Sequence, residues 1–156
     1  LRAADVARQA QCSTLVVLSK WDLSEITIEE VRPQLLRRLR QRPPFITTSA
    51  TTGRNVSRVL DKVAELFDKH ASRVPTAELN RFLAELREAR QPPSKGTRRL
   101  NLLYGAQVES RPPRFRFTVN DPALVTRDYG YWVENRLREQ FELEGVPVAI
   151  DFRRRS

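Results

Sequence analysis

The stretch Leu15-Val16-Val17-Leu18-Ser19-Lys20-Trp21-Asp22 sets four aliphatic residues directly against a polar cluster. An apolar run of this length, bounded by polar residues, suits a strand buried on both faces, as in a parallel sheet covered by helices. Polar groups that follow such a strand sit at its carboxyl end, where open α/β sheets bind their ligands. The strand is predicted over Thr14 to Leu18.

The flanking chain supports that reading. Residues 1–10 read as the end of a helix. Ile28, Val31, Leu35, Leu36 and Leu39 form one apolar stripe at helical spacing, which predicts a helix from about Ile28 to Arg40, with Pro33 tolerated in its first two turns. Pro43-Pro44 stops it, and Phe45-Ile46-Thr47-Thr48 is a second β run ending at Ser49-Ala50. After the turn Thr51-Thr52-Gly53, a third helix from Asn55 to about Ala71 carries Val56, Val59, Leu60, Val63, Leu66 and Phe67 on one side, with Asn55 as its expected N-cap. Helices alternating with strands indicate an α/β layer with parallel strands. Two strands alone would both be edges with uncovered apolar faces, so this part is expected to be the trailing piece of a larger sheet.

The domain junction is expected at Arg73 to Pro75, which gives an α/β domain over residues 1–74 and a second domain over 75–156. From Thr76, an expected N-cap, a helix to about Gln91 places Leu79, Phe82, Leu83, Leu86 and Ala89 on one face. Pro92 to Gly96 reads as a loop. Strands are predicted at Leu100 to Val108 and Arg114 to Val119, where Phe115 and Phe117 alternate with Arg114, Arg116 and Thr118. Asn120-Asp121-Pro122 caps a short turn. A helix from Asp128 to about Phe141 buries Tyr129, Trp132, Val133, Leu137 and Phe141, Gly145 ends it, and Val148 to Phe152 is a last strand. The order is that of a small α+β module with a three-stranded sheet.

Composition narrows the function. The chain has 156 residues, one cysteine, one histidine and a net charge of +9. Cys12 alone forms no internal disulfide, and His70 alone argues against a zinc site or a histidine-based triad. No run is long enough to span a membrane, and no signal peptide opens the chain; these features favour the cytosol. There is no methionine, so Leu1 is no translational start and the chain is expected to be a fragment or a processed product. The positive charge suggests an anionic partner such as nucleic acid. Between Arg90 and Arg116 lie seven basic residues and one acid, Glu109.

The polar cluster has a specific chemical use. The Asp22 carboxylate can accept two hydrogen bonds from the N1 and N2 edge of guanine, which adenine does not offer, and the wrong base would leave that charge unpaired. The alkyl stem of Lys20 can cover the base, and Ser49-Ala50 can present a backbone N–H to its O6. A solvated loop is the other reading of Lys-x-Asp on its own.

Several stretches together resemble one family. Ser19-Lys20-Trp21-Asp22 and Thr48-Ser49-Ala50 are similar to the guanine-specificity motifs of translation-factor-type GTPases. Pro75-Thr76-Ala77-Glu78-Leu79-Asn80, Arg111-Pro112-Pro113 with Phe115 and Phe117, Val119-Asn120-Asp121-Pro122, and Glu134 to Glu139 leading to Glu144-Gly145-Val146-Pro147 resemble the EngA (Der) family of bacterial ribosome-assembly GTPases. The resemblance implies the end of a P-loop GTPase-type parallel sheet followed by a KH-like domain. It implies GTP or GDP as the ligand of the intact protein and assembly of the large ribosomal subunit as its task, with ribosomal RNA and upstream G domains as partners. Ser19, Lys20, Asp22, Ser49 and Ala50 would be the guanine-binding residues. The family usually has asparagine where this chain has Ser19, and serine is too short to span from base to phosphate loop, so weaker nucleotide binding is one consequence. Nothing here matches Gly-x-x-x-x-Gly-Lys-Ser/Thr or Asp-x-x-Gly, so the residues for the phosphates and Mg²⁺ are absent, and the chain by itself is expected not to hydrolyse GTP.

KH domains clamp single strands with a Gly-x-x-Gly loop. The corresponding turn here, Thr126-Arg127-Asp128, has none, and Asp128 would repel a phosphate. RNA contact would then rest on Arg98, Arg99, Arg111, Arg114 and Arg116; alternatively these arginines pair with acids or pack on neighbouring G domains. A non-enzymatic RNA-binding or interaction module without a nucleotide is the competing class. Tyr129 and Trp132 read as core residues, Cys12 as a buried or partly buried small hydrophobe, and His70 as a surface residue at a helix end.

Overall fold

A computed structural model describes residues 2–155 and divides into two compact units. One runs up to His70 and also takes in Glu144–Pro147; the other holds Ala71–Leu143 and the chain from Val148 onward.

The first unit contains α1 (Arg2–Gln9), β1 (Val16–Leu18), a 3₁₀ turn (Trp21–Leu23), α2 (Ile28–Arg38), β2 (Phe45–Thr47) and α3 (Val56–His70). β1 and β2 pair in parallel, with Val16 opposite Phe45 and Leu18 opposite Thr47. Helix α2 begins at a capping box in which the Glu30 carboxylate accepts from the Thr27 amide at 2.8 Å and hydroxyl at 3.2 Å.

Several expectations for this unit are corrected. β1 starts at Val16 rather than Thr14 and is not buried on both faces, for Val17 is 42% exposed. Of the α3 stripe only Leu66 is buried, while Val56, Leu60, Val63 and Phe67 stand exposed. The physical reason is area: a sheet of two strands is too narrow to cover an amphipathic helix. Asn55 does not take the extended backbone of an N-cap; its φ is 57°, and its side-chain Nδ2 donates to the Thr47 carbonyl at 2.9 Å, tying the start of α3 to the end of β2. Cys12 is exposed, not buried. His70 is half-buried, with Nδ1 2.9 Å from the Ser13 hydroxyl. On the surface of α3, Lys62 and then Lys69 hold the Glu65 carboxyl below its ordinary range through hydrogen-bonded contacts at 2.7 and 3.1 Å.

The second unit carries the core. It contains α4 (Thr76–Ala89), a ribbon of β3 (Ser94–Lys95) and β4 (Arg98–Arg99), β5 (Leu102–Ser110), β6 (Pro113–Val119), α5 (Arg127–Gln140) and β7 (Ala149–Arg154). The three longer strands are ordered β5-β6-β7, antiparallel then parallel. Leu79, Phe82, Leu83 and Leu86 of α4, Phe115, Phe117 and Val119 of β6, and Tyr129, Val133 and Leu137 of α5 are all buried. Packing is close where α4 crosses β5, since a Cβ on Gly105 would lie 2.9 Å from Leu83 and 3.1 Å from Phe117. Asn80 of α4 accepts from the Gly105 amide at 2.9 Å and donates to its carbonyl at 2.8 Å, so the open edge of β5 is satisfied by a side chain there.

Here too details differ from expectation. Pro75, not Thr76, occupies the N-cap of α4, and Ala89 is exposed. The breaker-rich loop folds as the β3–β4 ribbon, turning at Gly96 with φ 61°. Helix α5 does not end at Gly145. Glu142 takes the left-handed position with φ 53°, and the Leu143 amide reaches back to the Arg138 carbonyl at 2.9 Å, the bond of a Schellman ending. β5 and β7 each reach two residues further than expected.

Tyr129 supplies a test of the core. It is fully buried beside Trp132 (ring centroids 5.4 Å apart), and among the described residues its hydroxyl has no hydrogen-bond partner. Burial raises its pKa, opposed by the Arg90 charge. Because the folded pKa lies above the unfolded one, this group's contribution to stability is complete below the unfolded value and is lost as pH rises toward the folded one. Tyr129→Phe is therefore expected to raise stability by ~1 kcal/mol in urea melts and to weaken the alkaline loss. A comparable loss of stability on the same substitution would show that the hydroxyl is satisfied.

Candidate guanine-binding site

The two loops read from the sequence meet at the carboxyl ends of β1 and β2. The Trp21 amide donates to the Thr48 carbonyl at 3.0 Å, and the Thr48 amide donates to the Leu18 carbonyl at 2.9 Å. Parallel pairing brings both strand ends to the same side, and these two bonds lace the loops together beyond the sheet. Lys20 begins the turn with φ 55° and ψ 36°, a left-handed conformation that costs a side-chain-bearing residue about 1 kcal/mol. The 3₁₀ turn after it holds Asp22 at the surface.

Ser19, Lys20 and Asp22 are exposed, as is Ala50, whereas Ser49 is 1% exposed. The groups of Ser49 are committed locally: its amide donates to the Arg54 carbonyl at 3.2 Å, and its hydroxyl accepts from the Thr52 amide at 3.2 Å. Ala50, next to it, is exposed. The chemistry of this donor and acceptor set suits the edge of a base. No group of three histidine, cysteine or carboxylate side chains placed to hold a metal ion occurs among the described residues. No helix among the described residues is long and apolar enough to cross a membrane.

The five arginines singled out in the sequence are spread over β4, the β5–β6 turn and β6. Arg98 lies 3.3 Å from Asp121, and Arg114 lies between Glu109 at 3.4 Å and Asp151 at 3.5 Å. Arg99 is exposed on the ribbon and Arg111 at the β5–β6 turn. Arg116 instead joins Arg153, Arg154 and Arg155, which sequence reasoning passed over although they stand consecutively after the last predicted strand. The turn before α5 is occupied by helix capping, with the Thr126 hydroxyl accepting from the Tyr129 amide at 3.3 Å.

An α/β unit joined to a KH-like α+β domain defines a GTPase-associated module. Residues 73–153 match the family described as "KH-domain-like of EngA bacterial GTPase enzymes, C-terminal". The chain belongs to the EngA family of bacterial GTPases. It is 37% identical over 162 aligned positions to the GTPase Der of Desulforudis audaxviator, covering 99% of this chain and 36% of that protein. The GTPase Der of Clostridium botulinum is 36% identical, with 91% and 34% covered, and that of Dinoroseobacter shibae is 35% identical, with 100% and 33% covered. The chain thus spans about a third of the length of the curated relatives it matches.

Proposed function

We propose that this chain forms the guanine-reading end of a G domain, residues 1–74, and a KH-like domain, residues 75–156, of a cytoplasmic GTPase that acts in assembly of the large ribosomal subunit. Asp22 reads the N1 and N2 edge of guanine, Lys20 covers the ring, and the Ala50 amide meets O6, with Ser19 and Ser49 shaping the two loops. GTP or GDP is the ligand; the residues for its phosphates and for Mg²⁺ would belong to the remainder of the protein. The KH-like domain contacts ribosomal RNA or the G domains of the same protein. The single observation that supports this most is the Trp21 to Thr48 hydrogen bond, which sets Asp22 and Ala50 on adjoining loops at one end of the sheet.

The reading is tested by titrating fluorescent GDP and ADP against this chain and against a longer protein that includes its upstream residues. The longer protein is expected to bind GDP and not ADP, and Asp22→Ala is expected to weaken GDP binding about 100-fold, the scale of losing a buried charged hydrogen-bonding partner. Equal binding of ADP, or no effect of Asp22→Ala, overturns the guanine assignment. This chain by itself is expected to release no phosphate from GTP.

A further inference from the structure

The sheet of the second unit buries one face and opens the other. Phe115, Phe117 and Val119 of β6 point into the core, so Arg116 and Thr118 between them point away from it. The register sets Tyr104 of β5 on one side of Thr118 and Arg153 of β7 on the other. One row across the open face therefore reads Tyr104, Thr118, Arg153. Arg116 lies in the adjacent row, with Ala106 and Asp151 beside it.

Arg116, Thr118, Arg153, Arg154 and Arg155 line an open concavity of about 530 Å³. The nearest acid in the register is Asp151, and its carboxylate lies 3.5 Å from Arg114. Among the described residues no ion pair joins a carboxylate to Arg116, Arg153, Arg154 or Arg155. By strand alternation Arg116, Arg153 and Arg155 share the open face, and with no ion-paired carboxylate among the described residues their mutual repulsion is relieved by an anion. Beside them Tyr104 is 49% exposed, an aromatic ring left in water at the level of the arginines.

An exposed ring on the same open sheet face as the arginines, one strand away across Thr118, matches the chemistry of an unpaired nucleic-acid strand, whose bases stack on aromatics while its phosphates meet cations. A duplex hides the faces of its bases and would leave the ring unused. We infer that the open face of β5-β6-β7 binds single-stranded RNA. Tyr104 stacks against a base, Arg116, Arg153 and Arg155 hold successive phosphates, and the Thr118 hydroxyl lies between ring and arginines. This deepens the RNA-binding half of the function proposed above and rests on it, but it moves the site from the ribbon arginines to the end of β7.

The test is fluorescence anisotropy of a labelled 12-nucleotide uridine-rich RNA with this chain across a salt series. Tyr104→Ala is expected to weaken binding about tenfold with the salt slope unchanged. The pair Arg116→Gln and Arg153→Gln is expected to lower the slope of log affinity against log salt by about 1.4, the value for two lost phosphate contacts on a single strand. Circular dichroism melts of both variants should match the parent, because all three residues are exposed. Unchanged affinity in Tyr104→Ala overturns the inference, and so does equal binding of the same sequence as duplex. Equal binding of the DNA oligomer overturns the choice of RNA. Pelleting with large ribosomal subunits separates the two readings: a parent chain that pellets while Tyr104→Ala leaves oligonucleotide binding unchanged overturns this site alone. A parent chain that binds the oligonucleotide but does not pellet overturns the ribosomal function alone.

Discussion

Gly145→Ala is expected to destabilise the first unit by about 3 kcal/mol or more, the scale of a steric clash in a packed site added to a strained backbone. The backbone at Gly145 has φ 80°, where a Cβ is disfavoured in any surroundings. The surroundings add to this, because a Cβ there would lie 2.6 Å from the Thr14 carbonyl oxygen, 2.7 Å from Pro44 Cδ and 3.2 Å from Leu66. The first of these is backbone and the second a ring, so neither swings aside. The same residue also bridges two parts of the unit: its amide donates to the Gln41 carbonyl at 2.8 Å, and its carbonyl accepts from the Thr14 amide at 2.8 Å. Moving the segment to make room for a methyl group stretches both bonds. Gln41 is buried and hydrogen-bonded in turn to the Thr14 hydroxyl at 2.8 Å and the Cys12 carbonyl at 3.2 Å, so the disturbance reaches the entry to β1. Hydrogen exchange read by mass spectrometry should show faster exchange in peptides covering 12–18 and 41–47, with the α4 and α5 peptides unchanged. Exchange at 12–18 equal to that of the parent would mean that Glu144–Pro147 is no structural part of this unit.

The glycine also shows what can be read from a sequence and what cannot. A glycine after an apolar helix reads locally as a helix end, and the local reading had no access to Thr14 and Pro44, which meet it from more than a hundred residues earlier in the chain. In α4 and β6 a signal that repeats within one element corresponds to burial, Ala89 excepted. The stripe Leu79, Phe82, Leu83 and Leu86 is buried throughout, and Phe115 and Phe117 face the core while Arg116 does not. Where an element is only two residues long, as in Ser94–Lys95 and Arg98–Arg99, there is no period to detect. The α3 stripe was detected, but its partner surface is not supplied by the two strands present, so amphipathicity did not translate into burial. The residues of the candidate base site are legible from their types and their place after the strands. What joins them is backbone hydrogen bonding from Trp21 to Thr48, to which side-chain identity is silent. Arg153 and Arg154 are not legible as strand residues because arginines continue β7 past its last apolar residue, where an alternation of apolar and polar residues can no longer mark a strand.

Glu134→Ala is expected to cost about 3 kcal/mol, toward the lower end of what removing one member of a buried ion pair costs. Glu134 and Arg138 lie one turn apart on α5, with Oε1 2.6 Å from Nη1, and the two side chains are 10% and 2% exposed. Each follows a residue of the apolar stripe, Val133 and Leu137, so the buried face of α5 is wider than the stripe and its margin is charged. Truncating Glu134 removes the carboxylate that Arg138 Nη1 donates to in an enclosed site, a loss larger than what such a pair contributes net, because both charges had to leave water to form it. The double substitution Glu134→Leu with Arg138→Met removes the penalty along with the pair and is expected to be neutral or stabilising, by as much as ~1–4 kcal/mol. Urea unfolding followed by circular dichroism distinguishes the two, provided the slope of the transition is unchanged, so that the midpoint alone carries the difference. If the double variant loses as much as the single one, the pair is a net source of stability and its hydrogen bonds outweigh its desolvation. If the double variant is the more stable chain, the pair persists at a cost. Its effect would then lie in fixing the rotation of α5 about its own axis, and with it which residues of that helix face the sheet.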